Sequence, residues 1–322
     1  MKKIISLILC AAVCFGVLCS CSSTEKTVLT VGEAQINGEV FAYYFNEVYS
    51  EWERNGGDLL AIDEMVAQTV DRCCEYVAAS TIIRTLQLPL SVDSKKSIAE
   101  KTEDVWMLYG GFYTDAGISK QTVSKITEAE EYRTQLLLYY FGDGSEYEVS
   151  EEEIEYYFDC TYVAFKAVNG YFTTTDENGD TVALPESDIL AIKADFEKKR
   201  ARLESGASFA DVNDGNDVDA TFSAVSNTAF PEGFLAKVSA LTYDTPAVIE
   251  TDENIFLVVR VDAKKGSDNY YKTYRTKYIE ALRGEMLTDM LVASGEEYGV
   301  EQDGGRLEKI ADDVISARNK RK

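Results

Sequence analysis

The 322-residue sequence contains no histidine. Histidine changes its charge near neutral pH, and it is the usual general base of nucleophilic triads and a common zinc ligand. Its absence excludes Ser-His-Asp chemistry, proton transfer by imidazole and the usual zinc sites that contain histidine. A catalytic function of this chain would therefore have to work without imidazole.

Positive charge is also scarce. The chain has 32 lysines and arginines against 56 aspartates and glutamates, which gives a formal net charge of −24 at pH 7. A surface of this sign repels the phosphate backbone of nucleic acids and anionic lipid headgroups. We therefore expect no nucleic-acid partner, and attachment to a membrane would have to come from lipid. The hydrophobic content of 45% predicts folded cores rather than a disordered chain.

The N terminus combines the features of an export signal. Two lysines precede an apolar stretch over residues 4–18, which is shorter than the roughly 20 residues that a helix needs to cross a bilayer. The sequence LCSC at its end (residues 18–21) resembles the bacterial lipobox. This resemblance implies that residues 1–20 are removed as a signal peptide and that lipid is attached to Cys21, with residues 21–27 as a polar tether. An ordinary signal peptide and an uncleaved anchor are the alternatives.

Few cysteines remain for structural roles. After cleavage the chain would keep Cys73, Cys74 and Cys160 besides the lipidated residue. Cys73 and Cys74 are neighbours on a predicted helix, where a bond between them would be strained. An exported chain with these cysteines is not a disulfide scaffold, and we expect neither a metal nor a cofactor.

Residues 28–147 are predicted to be mostly helical. A short extended element in VLTVGEAQING comes first, and from Val40 the apolar residues recur at the spacing of an amphipathic helix that ends at Gly56-Gly57. Further helices are predicted over about 62–86 and 94–109. A fourth helix is predicted to begin after Ser119, which is its N-cap. The aromatic residues of the first helix either form its core or present a peptide-binding surface; these are Tyr43, Tyr44, Tyr49 and Trp52.

Residues 148–265 differ in composition and predict an α+β module. Ser150 and Glu153 have the spacing of a capping box at the start of a helix, and TYVAFKAV is typical of a strand. The next elements are a hairpin around Asn178-Gly179, a helix over 187–204 and a helix in PEGFLAKVSAL. Three further strands are predicted in ATFSAV, PAVIE and IFLVVRV.

The remaining residues, 266–322, return to helix over about 268–297 and 305–317. The basic end of the chain is interpreted as a solvated tail; it contains Arg318, Lys320, Arg321 and Lys322.

Several acidic clusters have the composition of metal or catalytic sites but not the required spacing. The loop DVNDGNDVDA (211–220) has Asn216 where an EF-hand loop needs glycine, and Phe222 where it needs an acid. The acids of DENGD (176–180) belong to the predicted hairpin turn. The run EEE at 151–153 falls in the first turn of a helix, where acids complement the helix dipole. We therefore expect solvated loops and helix starts at these positions, not metal sites.

The order of these elements resembles the PrsA/SurA class of exported foldases, with a parvulin-type (PpiC-like) peptidyl-prolyl isomerase module. The resemblance covers nearly the whole chain after Cys21. It implies an α+β fold in which a helical chaperone region (28–147) is completed by a returning C-terminal helix (266–322), with the parvulin-like module (148–265) inserted. The segments that carry the resemblance are VGEAQINGEVFAYYF, VSEEEIEYYFDCTYVAFKAV, ARLESGASFADV, FPEGFLAKVSALTYDTPAVIETDENIFLVVRVD and YRTKYIEALRGEMLTDML.

The chain departs from this family where the family places its histidines. Ala167 stands at the histidine position of the first strand and Phe256 at that of the last strand, and the Gly-Gly-x-Leu-Gly turn is missing. Phe230 and Phe234 keep the spacing of the apolar proline pocket. The resemblance therefore implies a peptide-binding site at these four residues with no catalytic residue. The alternative is that Phe230 and Phe234 are core side chains beneath the last strands.

These features predict a membrane-anchored chaperone on the extracytoplasmic face of the cell membrane. It would bind unfolded or nascent exported polypeptides, and its parvulin-like module would be weak or inactive as a prolyl isomerase. Two alternatives stay open. The chain is an active prolyl isomerase of the same family that works without histidine, or it is a structural or adaptor lipoprotein with one defined partner.

Overall fold

The computed structural model describes residues 27–265 and 269–321. Cys21 and the predicted signal segment lie outside the described residues. The chain forms two compact units, the first from residues up to Glu148 together with Ile279 onward, and the second from Val149 to Tyr278. Within the described ranges, no helix is both long enough and apolar enough to span a bilayer. Helices combined with small antiparallel sheets confirm the predicted α+β class.

The first unit begins with a β-hairpin, β1 and β2, which is followed by long helices. Each predicted helix is present, and the third extends six residues beyond its predicted end at residue 109, to residue 115. The elements are β1 (Thr27–Val31), β2 (Ala34–Asn37), α1 (Gly38–Arg54), α2 (Ile62–Thr85), α3 (Val92–Asp115) and α4 (Lys120–Phe141).

The second unit follows the predicted order of elements. The elements are α5 (Glu151–Thr161), β3 (Tyr162–Tyr171), β4 (Thr173–Thr175), β5 (Thr181–Ala183), α6 (Glu186–Glu204), α7 (Phe209–Val212), β6 (Thr221–Ala224), α8 (Phe234–Ser239), β7 (Pro246–Glu250), β8 (Asn254–Val261) and α9 (Tyr270–Thr273). The chain then continues through α10 (Arg275–Glu297), β9 (Val300–Gln302) and α11 (Gly304–Asn319), and the residues from Ile279 onward belong to the first unit.

Polar caps fix where the helices of the first unit begin. The Asn37 side chain accepts the Val40 N–H at the start of α1, and Ser119 accepts the Thr122 N–H at the start of α4, as predicted. Glu39, in the first turn of α1, also accepts the N–H of Ser119 at 2.9 Å. The same carboxylate therefore connects the starts of two helices that are far apart in sequence.

The core of the first unit settles the alternatives for the aromatic residues of α1. Tyr43 is 8% exposed and Tyr49 is 7% exposed, and both belong to the buried core together with Phe41. Tyr44 and Trp52 are partly buried and pack against the same core. Tyr43 and Tyr49 are therefore core side chains, and Tyr44 and Trp52 lie at the edge of the core.

The last part of the chain completes this core. Strand β9 pairs antiparallel with β1, with Leu29 opposite Gln302 and Val31 opposite Val300. Helix α11 packs on α1 and α2, and it contributes Leu307 and Val314, which have no exposed surface. The sequence did not indicate β9, because three residues are too few to show an alternating pattern.

The expectation of a solvated basic tail is wrong for Arg318. Its guanidinium donates hydrogen bonds to Asn46 Oδ1 at 2.7 Å, to Ser50 Oγ at 2.8 Å and to Glu53 Oε2 at 2.7 Å. It also lies 4.7 Å from the ring centroid of Tyr49. These four partners are spaced i, i+3, i+4 and i+7 along α1, so they form one helix face that receives the side chain.

A nearby arginine is also paired, because Arg321 donates to the Asp115 carboxylate at 2.5 Å. Lys320 is exposed, and Lys322 lies outside the described residues.

In the second unit, an antiparallel sheet of order β6-β3-β8-β7 has both faces covered. Helix α6 covers one face with Phe196, Ile189 and Ile192. A Cβ atom at Gly170 of β3 would lie 2.8 Å from the Phe196 ring, so glycine is required for this close approach. Helix α8 lies on the opposite face.

The second unit extends to Tyr278, beyond the expected module end at residue 265. Tyr271 and Tyr278 are buried, and their rings lie 5.3 Å and 5.5 Å from that of Phe158 on α5. Glu151, at the start of α5, accepts a hydrogen bond from the Tyr271 hydroxyl and pairs with Arg275 at 2.6 Å. These contacts fasten the segment after β8 to α5.

We expect Arg318→Ala to lower the free energy of unfolding of the first unit by about 2–3 kcal/mol, because charged hydrogen bonds to partly buried groups are lost. Both tryptophans, Trp52 and Trp106, lie in this unit, so tryptophan fluorescence in urea reports on it specifically. Lys320→Ala is the matched control, and it should change the free energy by less than about 0.5 kcal/mol. Equal unfolding midpoints for the two variants would contradict the assigned role of Arg318.

Candidate functional site

The four residues implied by the family resemblance lie on the α8 face of the second unit's sheet. Ala167 projects from β3 and Phe256 from β8, while Phe234 is the first residue of α8. Phe230 lies in the loop before α8 and packs against the same buried cluster, as does Ala167. The structure therefore brings together all four residues, which are separated by up to 89 positions in the sequence.

A tight turn places the two phenylalanines of the loop and helix next to each other. In the sequence FPEGF the Phe234 N–H donates to the Pro231 carbonyl at 3.0 Å. Gly233 caps α8 with φ of 71°, a left-handed conformation that glycine adopts without strain. The rings of Phe230 and Phe234 are consequently stacked, with centroids 5.7 Å apart.

The ring contacts form one continuous apolar cluster around Phe234. Its centroid lies 4.2 Å from that of Phe256 and 5.6 Å from that of Phe165, which is buried on β3. Phe165 also contacts Phe230 at 5.6 Å in an edge-to-face arrangement. Each such pair contributes roughly 0.5–1.5 kcal/mol beyond the burial of its area.

Burial separates these residues into a floor and a rim. Phe234 has 0% exposed surface and Phe256 has 7%, so both belong to the floor. Phe230 and Ala167 are only partly buried and reach the surface. A bound peptide would therefore touch the rim first, and Phe234 would support Phe230 from beneath.

Two polar side chains beside the cluster, those of Ser223 and Arg260, are held by hydrogen bonds. The sheet register places Ser223 opposite Val163, and the Ser223 hydroxyl accepts from Asn227 Nδ2 at 3.0 Å. Arg260 lies opposite Phe165 at the end of the cluster, and its guanidinium donates to the carbonyls of Ser239 and Leu241. In this register, Asn169 of β3 and Ile249 of β7 lie directly opposite Phe256 on its two neighbouring strands.

The acidic clusters have local structural roles. Asp211 forms a capping box with Ser208 at the start of α7, and Glu153 forms one with Ser150 at the start of α5. Asp176 accepts the N–H groups of Asn178 and Asp180 in the hairpin turn, and the backbone N–H of Asp180 contributes most to lowering the pKa of Asp176. Among the residues in 27–265 and 269–321, no group of three or more His, Cys, Asp or Glu is arranged to hold a metal ion.

A second candidate surface lies on α3 of the first unit. Three consecutive residues project their side chains into solvent, and we call them the exposed strip: Met107 (78% exposed), Leu108 (68%) and Tyr109 (55%). Adjacent helix positions are 100° apart, so three in a row cannot all face one core. Tyr113, one turn after Tyr109, is buried, contacts the Tyr109 ring edge-on and stacks with Trp106, so the core face of α3 borders the strip at Tyr109.

The sequence contains a pattern that indicates the exposed strip. The run VWMLY (105–109) is continuously apolar, whereas the buried helix faces of this unit show the i, i+3, i+4 spacing. An uninterrupted apolar run on an amphipathic helix indicates that some of its residues face solvent.

We expect Phe234→Ala to destabilise the second unit by about 3–5 kcal/mol, because a fully buried ring is replaced by a cavity. Phe230→Ala should cost about 1–2 kcal/mol, since its ring is only partly buried. Pulse proteolysis in urea, with cleavage sites mapped within residues 149–278, measures both values. If Phe234→Ala leaves this unit as resistant as the unmodified chain, Phe234 is not the core residue that its burial indicates.

No protein-family model matches the chain, and no curated protein matches it. Similar solved structures include foldase protein PrsA from Streptococcus pneumoniae, with 14% identity, 91% of this chain and 94% of that chain covered, and a TM-score of 0.37. Foldase protein PrsA from Lactococcus lactis has 10% identity, with 90% and 99% covered and a TM-score of 0.39. PrsA from Bacillus subtilis has 13% identity, with 74% and 86% covered and a TM-score of 0.34. These identities and TM-scores are too low to transfer the role of any residue to this chain.

Proposed function

We propose that this chain is a lipid-anchored extracytoplasmic chaperone that binds unfolded or nascent exported polypeptides. The observation that carries the proposal is the exposed strip, where Met107, Leu108 and Tyr109 hold apolar surface in water on a well-formed helix. Contiguous exposed apolar side chains mark interaction sites, because leaving them in water costs free energy that a partner recovers. Methionine adapts its shape to varied partners, which suits a surface that meets many sequences.

In the second unit, the partly exposed rim formed by Phe230 and Ala167 is proposed as a second contact for extended peptide. The stacked ring of Phe230 offers a flat apolar face, and Phe234 and Phe165 hold it in place from below. The residues directly opposite Ala167 and Phe256 in the sheet are Val258, Asn169 and Ile249, none of which ionises. The rim is therefore suited to binding and poorly suited to proton transfer or charge stabilisation.

Anchoring through lipid on Cys21 is supported by the sequence LCSC and by the apolar segment before it. One acyl chain holds a protein to a bilayer only marginally, whereas two or more hold it stably. The mass of Cys21 in the mature chain tests this part of the proposal. Diacylglycerol on its sulfur is expected, and an unmodified cysteine would refute the anchor.

The exposed strip should dominate the suppression of aggregation. Replacing Met107, Leu108 and Tyr109 together by serine removes the apolar surface, and we expect unfolded-polypeptide binding to weaken by about tenfold or more. The measurement is light scattering of a diluted, chemically unfolded polypeptide in the presence of the full-length chain.

The matched control replaces two apolar residues that are exposed singly, Leu60 (88% exposed) and Val92 (83%), by serine. This variant should suppress aggregation like the unmodified chain. An equal loss in both variants would show that general surface hydrophobicity, not the strip, is responsible. A single captured partner in place of many unfolded polypeptides would favour the adaptor alternative.

Isomerase activity should be slight. The uncatalysed rotation of an X-Pro bond has a barrier of about 18–20 kcal/mol, and polar groups that exchange protons typically contribute about 10²–10⁴-fold to a rate. An apolar rim lacks that contribution, although it favours the less polar twisted amide. A protease-coupled assay on an X-Pro peptide is expected to show little acceleration over the spontaneous rate. Robust turnover that Phe230→Ala abolishes would establish the active-isomerase alternative.

A further inference from the structure

A cleft of about 410 Å³ opens in the first unit, lined by residues of α1, α2 and α10. Each helix presents one face to it, because the lining positions on α2 and on α10 recur at i, i+3, i+4 and i+7. Where a packed interface would carry apolar residues, five of the eleven residues that line this cleft are acids. They are Glu51, Asp71, Glu75, Asp289 and Glu296, with Arg72 as the single cation of the lining.

Only part of this negative charge is neutralised. Arg72 lies 3.3 Å from Glu51 and 3.6 Å from Glu75. In the part of the chain that the structure describes, no lysine or arginine nitrogen lies within salt-bridge distance of Asp71, Asp289 or Glu296. The cleft therefore carries three carboxylates without an ionic partner, and all three are solvent-exposed.

The packing of α2 against α10 holds two of these carboxylates near each other. A Cβ atom at Gly295 would lie 2.7 Å from Cys74 Cβ, so the two helices approach closely at this glycine. Glu296 follows Gly295 directly. Partial desolvation contributes most to raising the pKa of Asp71, which stays exposed; the Glu296 charge adds to this increase and the Arg72 charge opposes it. Burial contributes most to raising the pKa of Cys74 to about 11, and the charges of Asp71 and Glu296 contribute to the same increase. The fold thus maintains a repulsion that a bound cation would relieve.

The wall of the cleft already binds one guanidinium of the chain. Arg133 donates from Nε to Glu75 at 2.6 Å and from Nη2 to Thr288 Oγ1 at 3.0 Å. Glu75 and Thr288 both line the cleft. Val292 and Ala293 of α10 add apolar surface to the lining, and the aliphatic stem of a lysine or arginine can lie along such a surface.

We propose that this cleft binds lysine and arginine side chains of unfolded polypeptides, so that the chain prefers basic segments among its clients. The inference rests on the proposed chaperone function and adds a selection by charge to it. The carboxylates of Asp71, Asp289 and Glu296 receive the cation, and the apolar surface of Val292 and Ala293 receives its stem. Overall negative charge alone is not sufficient, because salt screens charges more than about 8–10 Å apart at physiological ionic strength.

The test compares two fluorescent, unstructured peptides of equal length and apolar content, measured by anisotropy against the full-length chain in neutral detergent micelles. One peptide carries lysine and arginine, and the other carries glutamine at the same positions. The cleft variant combines Asp71→Asn with Glu296→Gln. The control variant combines Glu308→Gln with Asp312→Asn, which removes the same charge from exposed positions of α11.

We expect the unmodified chain and the control variant to bind the basic peptide more tightly than the glutamine peptide. In the cleft variant this preference should fall by about threefold to tenfold, since each exposed ionic contact is worth a few-fold in affinity. Binding of the glutamine peptide should stay unchanged in all three proteins. Ala293→Lys places an ammonium group of the chain itself in the cleft, and it should reduce the preference in the same way without removing an acid.

Equal affinity of the unmodified chain for the two peptides would overturn the inference and leave the proposed chaperone function intact. The inference would also be overturned if the preference for the basic peptide fell as much in the control variant as in the cleft variant, or if it survived in both the cleft variant and Ala293→Lys. Either result would assign the preference to the net charge of the chain. Failure of the unmodified chain to bind either peptide would instead refute the proposed function. Tryptophan fluorescence in urea checks that the first unit is folded in each variant.

Discussion

The first unit depends on residues from both ends of the chain. Strand β9 supplies the third strand beside β1, and α11 places Leu307 and Val314 in the same core as Phe41 of α1. The N-terminal helices cannot bury these apolar faces until the residues after 278 have arrived. Closing a long loop costs entropy that grows slowly with its length, and the contacts of β9 and α11 must offset it. The second unit is one continuous segment, so its own core closes without this requirement.

This dependence reaches the surfaces proposed to bind polypeptides. One wall of the acidic cleft belongs to α10, and its carboxylates face Asp71 only because Gly295 lets α10 pack closely on α2. Arg318 of α11 ties the end of the chain to four residues of α1. Loss of the contacts of α10 would therefore open the cleft, and loss of the contacts of α11 would open the core.

Much of the fold follows from local signals in the sequence, and the failures have a common cause. The caps at Ser119 and Ser150 and the helical spacing from Val40 onward fixed the helix starts, because these signals act within one or two turns. The strand β9 and the paired role of Arg318 both depend on partners more than two hundred residues away. Spacing along the chain does not encode such contacts. The sequence also left Phe234 undecided between core and peptide contact, since an apolar spacing is the same in both cases, and its complete burial makes it a supporting residue.

The two kinds of surface would contribute differently to the binding of an unfolded polypeptide. Charged groups act over several ångströms and mainly accelerate encounter, whereas buried apolar contacts and desolvated pairs mainly slow dissociation. In the proposed function the acidic cleft would favour the first approach of a basic segment, and Met107, Leu108, Tyr109 and the Phe230 rim would hold the apolar segments. Such a division requires no catalytic group. It is consistent with a chain that has no histidine and in which Ser223 and Arg260, beside the apolar cluster, are engaged by amide or carbonyl partners. Release of the polypeptide would then depend on its folding, because folding removes from the contact the same apolar side chains that the chaperone holds.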